Sequence, residues 1–101
     1  IFFFFFEDLA QECFTTLARA QCVKIERIVS KGHASRSGDW YDQADNEWLI
    51  VIKGQAILSF ASESDIYLDV GDYLNIPARK KHRVKWTPSD VETIWLAVHY
   101  R

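Results

Sequence analysis

EWLIVIKGQAILSFASESDIYLDVGDYLNIP, residues 47–77, decides the architecture. Short apolar runs at 47–53, 55–60, 65–70 and 73–77 are separated only by tight turn signals, Lys53-Gly54 and Val70-Gly71-Asp72. Alternation is plain in two of them: Ala56, Leu58 and Phe60 share a face, as do Ile66, Leu68 and Val70. The run 47–53 is apolar on both faces, Leu49 and Val51 against Trp48, Ile50 and Ile52, so it is expected to be covered on both sides.

Outward from this stretch the pattern continues. VKIERIV at 23–29 reads as a strand, SKGHASRSGD at 30–39 as a loop, and 82–86 and 92–100 as further strands. In His82-Arg83-Val84-Lys85-Trp86 the two cations need water, which predicts that His82, Val84 and Trp86 face inward. Strands this short and evenly spaced, with no helix between them, indicate an all-β antiparallel sandwich or small barrel. Before them, residues 7–18 place Leu9, Cys13, Phe14 and Leu17 at helical spacing, with acids in the first turn; this predicts a short amphipathic N-terminal helix. Residues 1–22 are thus read as an N-terminal segment ahead of a β-domain over 23–101.

The 101 residues suit one domain, and 49% apolar with 26% charged residues is the composition of a soluble globular protein. A net charge of -2 and a pI near 5.9 predict no nucleic-acid partner and no attraction to an anionic membrane. Cys13 and Cys22 are too few for a disulfide framework and favour the cytoplasm. The start, IFFFFFEDL, lacks the basic flank and the length of a signal peptide or spanning helix. The Phe2–Phe6 run is expected to dock on the domain or on a partner subunit.

Glu47 is the focus of the functional reading. It follows the polar cluster Asp42, Gln43, Asp45 and Asn46 and leads directly into the apolar run. A carboxylate carried inward is costly unless a cation or hydrogen bonds meet it. An inward Glu47 and an inward His82 form a potential small site in a barrel mouth, able to hold a divalent cation or to act as an acid–base pair. The bland alternatives are a solvated Glu47 and a core His82 bonded to a backbone carbonyl.

Glu47 followed by Gly54 resembles the second half of the first cupin motif, and GDYLNIPARKKH, with Gly71, Pro77 and His82, resembles the second. The resemblance covers roughly residues 23–100. It implies a cupin-type double-stranded β-helix, or jelly-roll barrel. It also implies a site of two His and a Glu from the first motif with one His from the second, holding iron, manganese, nickel or zinc. The chain departs from that pattern: the His-x-His positions fall on Tyr41 and Gln43, or on Trp40 and Asp42 with one more residue of spacing. A glycine usual between Pro77 and His82 is replaced by Arg79.

Glu47 and His82 therefore carry over as ligands, with Gln43 and Asp42 as substitute oxygen donors to a divalent metal (Mn, Fe, Ni or Zn). His33 and His99 are further nitrogen donors to consider. Tyr41, Gln43 and Trp86 are expected to line the ligand site, with Trp40 and Tyr73 nearby. His82 is the candidate catalytic residue. The resulting expectation is a small cupin-domain protein that binds a divalent metal, a small molecule or both. The alternatives are a metal-free binding or sensor module, or a metal-free isomerase-like enzyme with His82 as base. A symmetric homodimer is expected to cover Trp48, Ile50 and Ile52.

Overall fold

The computed structural model describes residues 11–36 and 38–101. Among the described residues there are eight strands and no helix: β1 (Cys13–Ala20), β2 (Val23–Ser30), β3 (Asn46–Lys53), β4 (Ala56–Phe60), β5 (Glu63–Leu68), β6 (Tyr73–Ile76), β7 (His82–Trp86) and β8 (Thr93–Tyr100). They form two antiparallel sheets, five-stranded in the order β1-β2-β8-β3-β6 and three-stranded in the order β5-β4-β7.

The core lies between the sheets. Leu49 and Val51 of β3, Trp95 and Ala97 of β8 and Ile76 of β6 meet Ala56, Leu58 and Phe60 of β4 and Leu68 of β5. All are nearly inaccessible, and each large side chain stabilises by roughly 1.5–3 kcal/mol. The alternation read from residues 47–60 is thus what packs the two sheets together.

The link between β3 and β4 carries the chain from one sheet to the other. Gly54 makes this turn at φ +80°, and a Cβ there would lie 2.6 Å from the Glu92 carbonyl oxygen and 2.6 Å from Thr93 Oγ1. Thr93 is fully buried; its hydroxyl donates to the Gln55 carbonyl at 2.8 Å and accepts from the Gln55 N–H at 3.3 Å. Only glycine fits so tight a crossing.

Three expectations are corrected. Residues 13–18, predicted as part of a helix, belong to strand β1, paired with β2 in register Cys13 to Val29 through Ala20 to Val23. A helix of a dozen residues is marginal without a packed face, and Phe14 and Leu17 are about half exposed, so pairing to the sheet edge wins. Residues 7–10 of the predicted helix and the Phe2–Phe6 run lie outside the described residues.

Secondly, Trp86 does not share the inner face with His82 and Val84. Leu58 pairs with Val84 but Ile57 pairs with Trp86, so a bulge at Lys85 turns the tryptophan to the outer side, 38% exposed. Thirdly, Val70 is exposed, because β5 ends at Leu68 and 69–72 form a turn bonded to Val51.

Candidate functional site

Glu47 is the second residue of β3 and His82 the first of β7, so the two come from opposite sheets. Both point inward and are almost fully buried, at 6% and 5% exposure. His82 Nε2 lies 3.7 Å from Glu47 Oε1. The other ring nitrogen, Nδ1, is 2.9 Å from the Lys80 carbonyl oxygen and donates to it, since a carbonyl can only accept. That fixes the ring and leaves Nε2 for the carboxylate. Burial pulls the His82 pKa down. The Glu47 hydrogen bond, the Lys80 carbonyl and the Glu47 charge together outweigh burial, and the net result lies above the ordinary value of 6.5. Glu47 thus favours the protonated form of the His82 ring.

Tyr41 and Gln43 reach the same place by backbone pairing. The Tyr41 N–H donates to the His82 carbonyl at 2.7 Å, and the Arg79 N–H donates to the Gln43 carbonyl at 2.8 Å. Tyr41 and Phe60 flank the His82 ring, with centroids 5.5 and 6.2 Å away. A cavity of about 90 Å³ is lined by Glu47, His82, Tyr41 and Gln43 with apolar walls that include Leu49, Leu58, Val84 and Trp95. At about 30 Å³ per water, this is room for roughly three waters or the end of a small molecule.

Several residues named from the sequence lie elsewhere. Asp42 faces outward and pairs with Arg79 at 3.4 Å. Trp40 lies under the Arg83 guanidinium, 5.6 Å from its ring centroid. Trp86 is on the outer side, and Tyr73, 67% exposed, packs on Trp48. His33 Nδ1 accepts from the Lys31 N–H, which ties it to its own loop.

His99 does line the cavity, together with Glu26 and Glu12. His99 Nε2 is 3.2 Å from Glu26 Oε1, and His99 stands directly across from Glu47 in the β3–β8 register. Glu12 accepts a hydrogen bond from the Ser30 hydroxyl, whose oxygen in turn accepts from Trp95 Nε1 at 3.2 Å. Sequence reasoning did not single out Glu26 or Glu12. The run VKIERIV carries charges on both faces, so its alternation leaves the inner side undecided, and Glu12 sat in a segment read as helix.

The fold has solved relatives. A protein of Ralstonia eutropha JMP134, described as a candidate mannose-6-phosphate isomerase, is 40% identical; the match covers 90% of this chain and 85% of that one, with a TM-score of 0.88. A cupin superfamily protein of Desulfitobacterium hafniense DCB-2 matches at 20% identity over 90% of this chain and 78% of its own, with a TM-score of 0.74. An RmlC-like cupin family protein with a double-stranded β-helix fold, from Methanocaldococcus jannaschii, matches at 21% over 95% and 85%, with a TM-score of 0.75.

The chain belongs to the cupin superfamily.

No family model and no curated protein matches it. Within this cupin, Tyr41 and Gln43 line the cavity while Asp42 ion-pairs outside it. Of the two spacings that the resemblance allows before Glu47, the three-residue one names the residues at the cavity, a phenol and an amide. Among the described residues no three of His, Cys, Asp or Glu come together to hold a metal ion. At the four positions that the resemblance implies as ligands stand a phenol, an amide, one carboxylate and one imidazole, which do not make the four-ligand centre of that pattern. No helix among the described residues is long and apolar enough to cross a membrane.

Proposed function

We propose that this cupin binds a small polar organic molecule in the cavity and moves a proton on it with the Glu47–His82 pair, Tyr41 and Gln43 supplying hydrogen bonds that orient it. The observation that carries this reading is the buried 3.7 Å approach of the two groups at the cavity wall. With Nδ1 bonded to the Lys80 carbonyl, Nε2 of His82 is the atom that gives up a proton as acid and, in the neutral ring, recovers one as base. Glu47 stabilises the charged ring throughout. The 40%-identical Ralstonia protein supports the same chemistry. An aldose–ketose isomerisation moves one proton from C2 to C1 and a second from the C2 hydroxyl to the C1 oxygen, and an imidazole alternating between its acid and base forms can carry both in turn.

The test is solvent-deuterium incorporation into a panel of hexoses, pentoses and their phosphates, followed by NMR, with elemental analysis of protein purified without nickel or chelator. Exchange that disappears in His82→Gln and Glu47→Gln supports the reading. A stoichiometric divalent ion lost in the same variants overturns it in favour of a metal site.

The same reading includes a symmetric dimer. Trp48 and Ile50 of β3 and their register partners Val98 and Leu96 of β8 form one half-buried apolar strip on the outer face of the larger sheet. Light scattering tests it: a dimer that Trp48→Glu converts to monomer supports the interface, and a wild-type monomer removes it.

A further inference from the structure

We infer that the groove outside the cavity is an oxyanion subsite, holding the phosphate or carboxylate end of the ligand whose uncharged end enters the cavity. This rests on the proposed function for the inner end and on separate residues for the outer one.

The groove encloses about 600 Å³ and shares Phe14, Glu26, Gln43 and His99 with the cavity, so the two are continuous. Their charges differ. Among the described residues the cavity is lined by Glu12, Glu26 and Glu47 and by no lysine or arginine, which disfavours an anion there. The groove is lined by Arg19, Lys24 and Arg101 against Glu26 and Asp45.

Three chain segments bring these cations to one rim. Arg19 and Lys24 are directly opposite each other in the β1–β2 register, and Lys24 is opposite His99 in β8. Arg101 follows β8, with its N–H donating to the Cys22 carbonyl at 3.2 Å. Like charges directly opposite on neighbouring strands destabilise a sheet. Glu26 relieves Lys24 at 3.5 Å and Asp45 meets Arg101 at 3.3 Å, while Arg19 forms no ion pair among the described residues. A phosphate or carboxylate between Arg19 and Lys24 removes the repulsion, and the Arg fork is suited to grip two of its oxygens.

Inorganic phosphate is the probe, titrated at low ionic strength into ¹⁵N-labelled protein, with chloride at matched ionic strength as control. The expected result is saturable shifts at the amides of Gln21, Cys22, Lys24 and Arg101, absent with chloride. Paired Arg19→Ala and Arg101→Ala substitutions, both at exposed positions, weaken binding by about tenfold or more, and His82→Gln leaves it unchanged. Phosphate shifts that never saturate, that chloride reproduces, or that survive the paired substitutions overturn the subsite. Loss of phosphate binding in His82→Gln also overturns it, because the anion then sits in the cavity. Saturable phosphate binding without deuterium exchange on any panel member sustains the subsite and removes the proton-transfer reading instead.

Discussion

Tyr41 and His82 exchange both of their backbone hydrogen bonds, Tyr41 N–H to the His82 carbonyl at 2.7 Å and His82 N–H to the Tyr41 carbonyl at 3.2 Å. This single antiparallel bridge fastens the segment before β3 to the start of β7. It brings a phenol, an amide and an imidazole from distant parts of the chain to one cavity. The attachment uses backbone atoms, so it does not depend on the tyrosine hydroxyl. Tyr41→Phe is therefore expected to leave the melting temperature within the range of a neutral surface change, about 0.5 kcal/mol. Tyr41→Pro removes the N–H, orphans the His82 carbonyl and is expected to cost roughly 1–3 kcal/mol. Equal losses in the two variants, measured by thermal or urea unfolding, would show that the ring and not the bridge holds the segment.

The Glu47–His82 pair makes stability depend on pH. Unfolded, His82 titrates near 6.5; folded, it titrates higher, with burial overcome by Glu47 and the Lys80 carbonyl. A raised native pKa adds stability that is fully present below about pH 6.5 and is lost as pH climbs through the native value. The melting-temperature gap between wild type and His82→Gln should be widest near pH 6 and narrow toward pH 9. A gap that stays constant or widens with pH contradicts a raised His82 pKa in the folded protein.

Gly54 is the crossing point between the two sheets, and a Cβ has no room against Glu92 and Thr93. Its positive φ adds backbone strain for any other residue. Gly54→Ala is expected to lower stability by roughly 2 kcal/mol or more. At Gly71, also left-handed but with open space around it, alanine should cost about 1 kcal/mol from backbone strain alone. Urea midpoints of the two variants check the ranking.

Arg79 is the one non-glycine residue with positive φ among the described residues, at +66°. It stands where the resemblance leads one to expect glycine. Its N–H anchors Gln43, a bond that glycine keeps, while its ion pair with Asp42 is exposed and worth little. Arg79→Gly is expected to be neutral or stabilising by about 0.5–1 kcal/mol, once the greater freedom of glycine in the unfolded chain is subtracted. A clear loss of stability would mean that the Asp42 contact or the arginine stem carries weight that its exposure does not suggest.

Much of the fold was legible in the order of residues. The alternation from Ala56 to Phe60, the apolar run from Trp48 to Ile52 and the glycine turns are local signals, and side chains two residues apart share a face whatever the rest of the chain does. The inward course of Glu47 followed from the same rule. The spacing from Gly71 through Pro77 to His82 was likewise readable, because it is counted along one short segment.

Other features depend on partners far away in the chain. Whether residues 13–18 coil or extend was settled by the free edge of β2, which no local pattern reveals. Trp86 turned outward because a bulge opposite Ile57 breaks its alternation. Glu26 and His99 meet, and stand beside Glu47, only because β2, β8 and β3 lie side by side. The chain order of the residues determined which faces are apolar and where the strands begin. Only the tertiary structure decided which charged groups share an interior, because a buried ionisable group is tolerable only where a partner from another strand meets it.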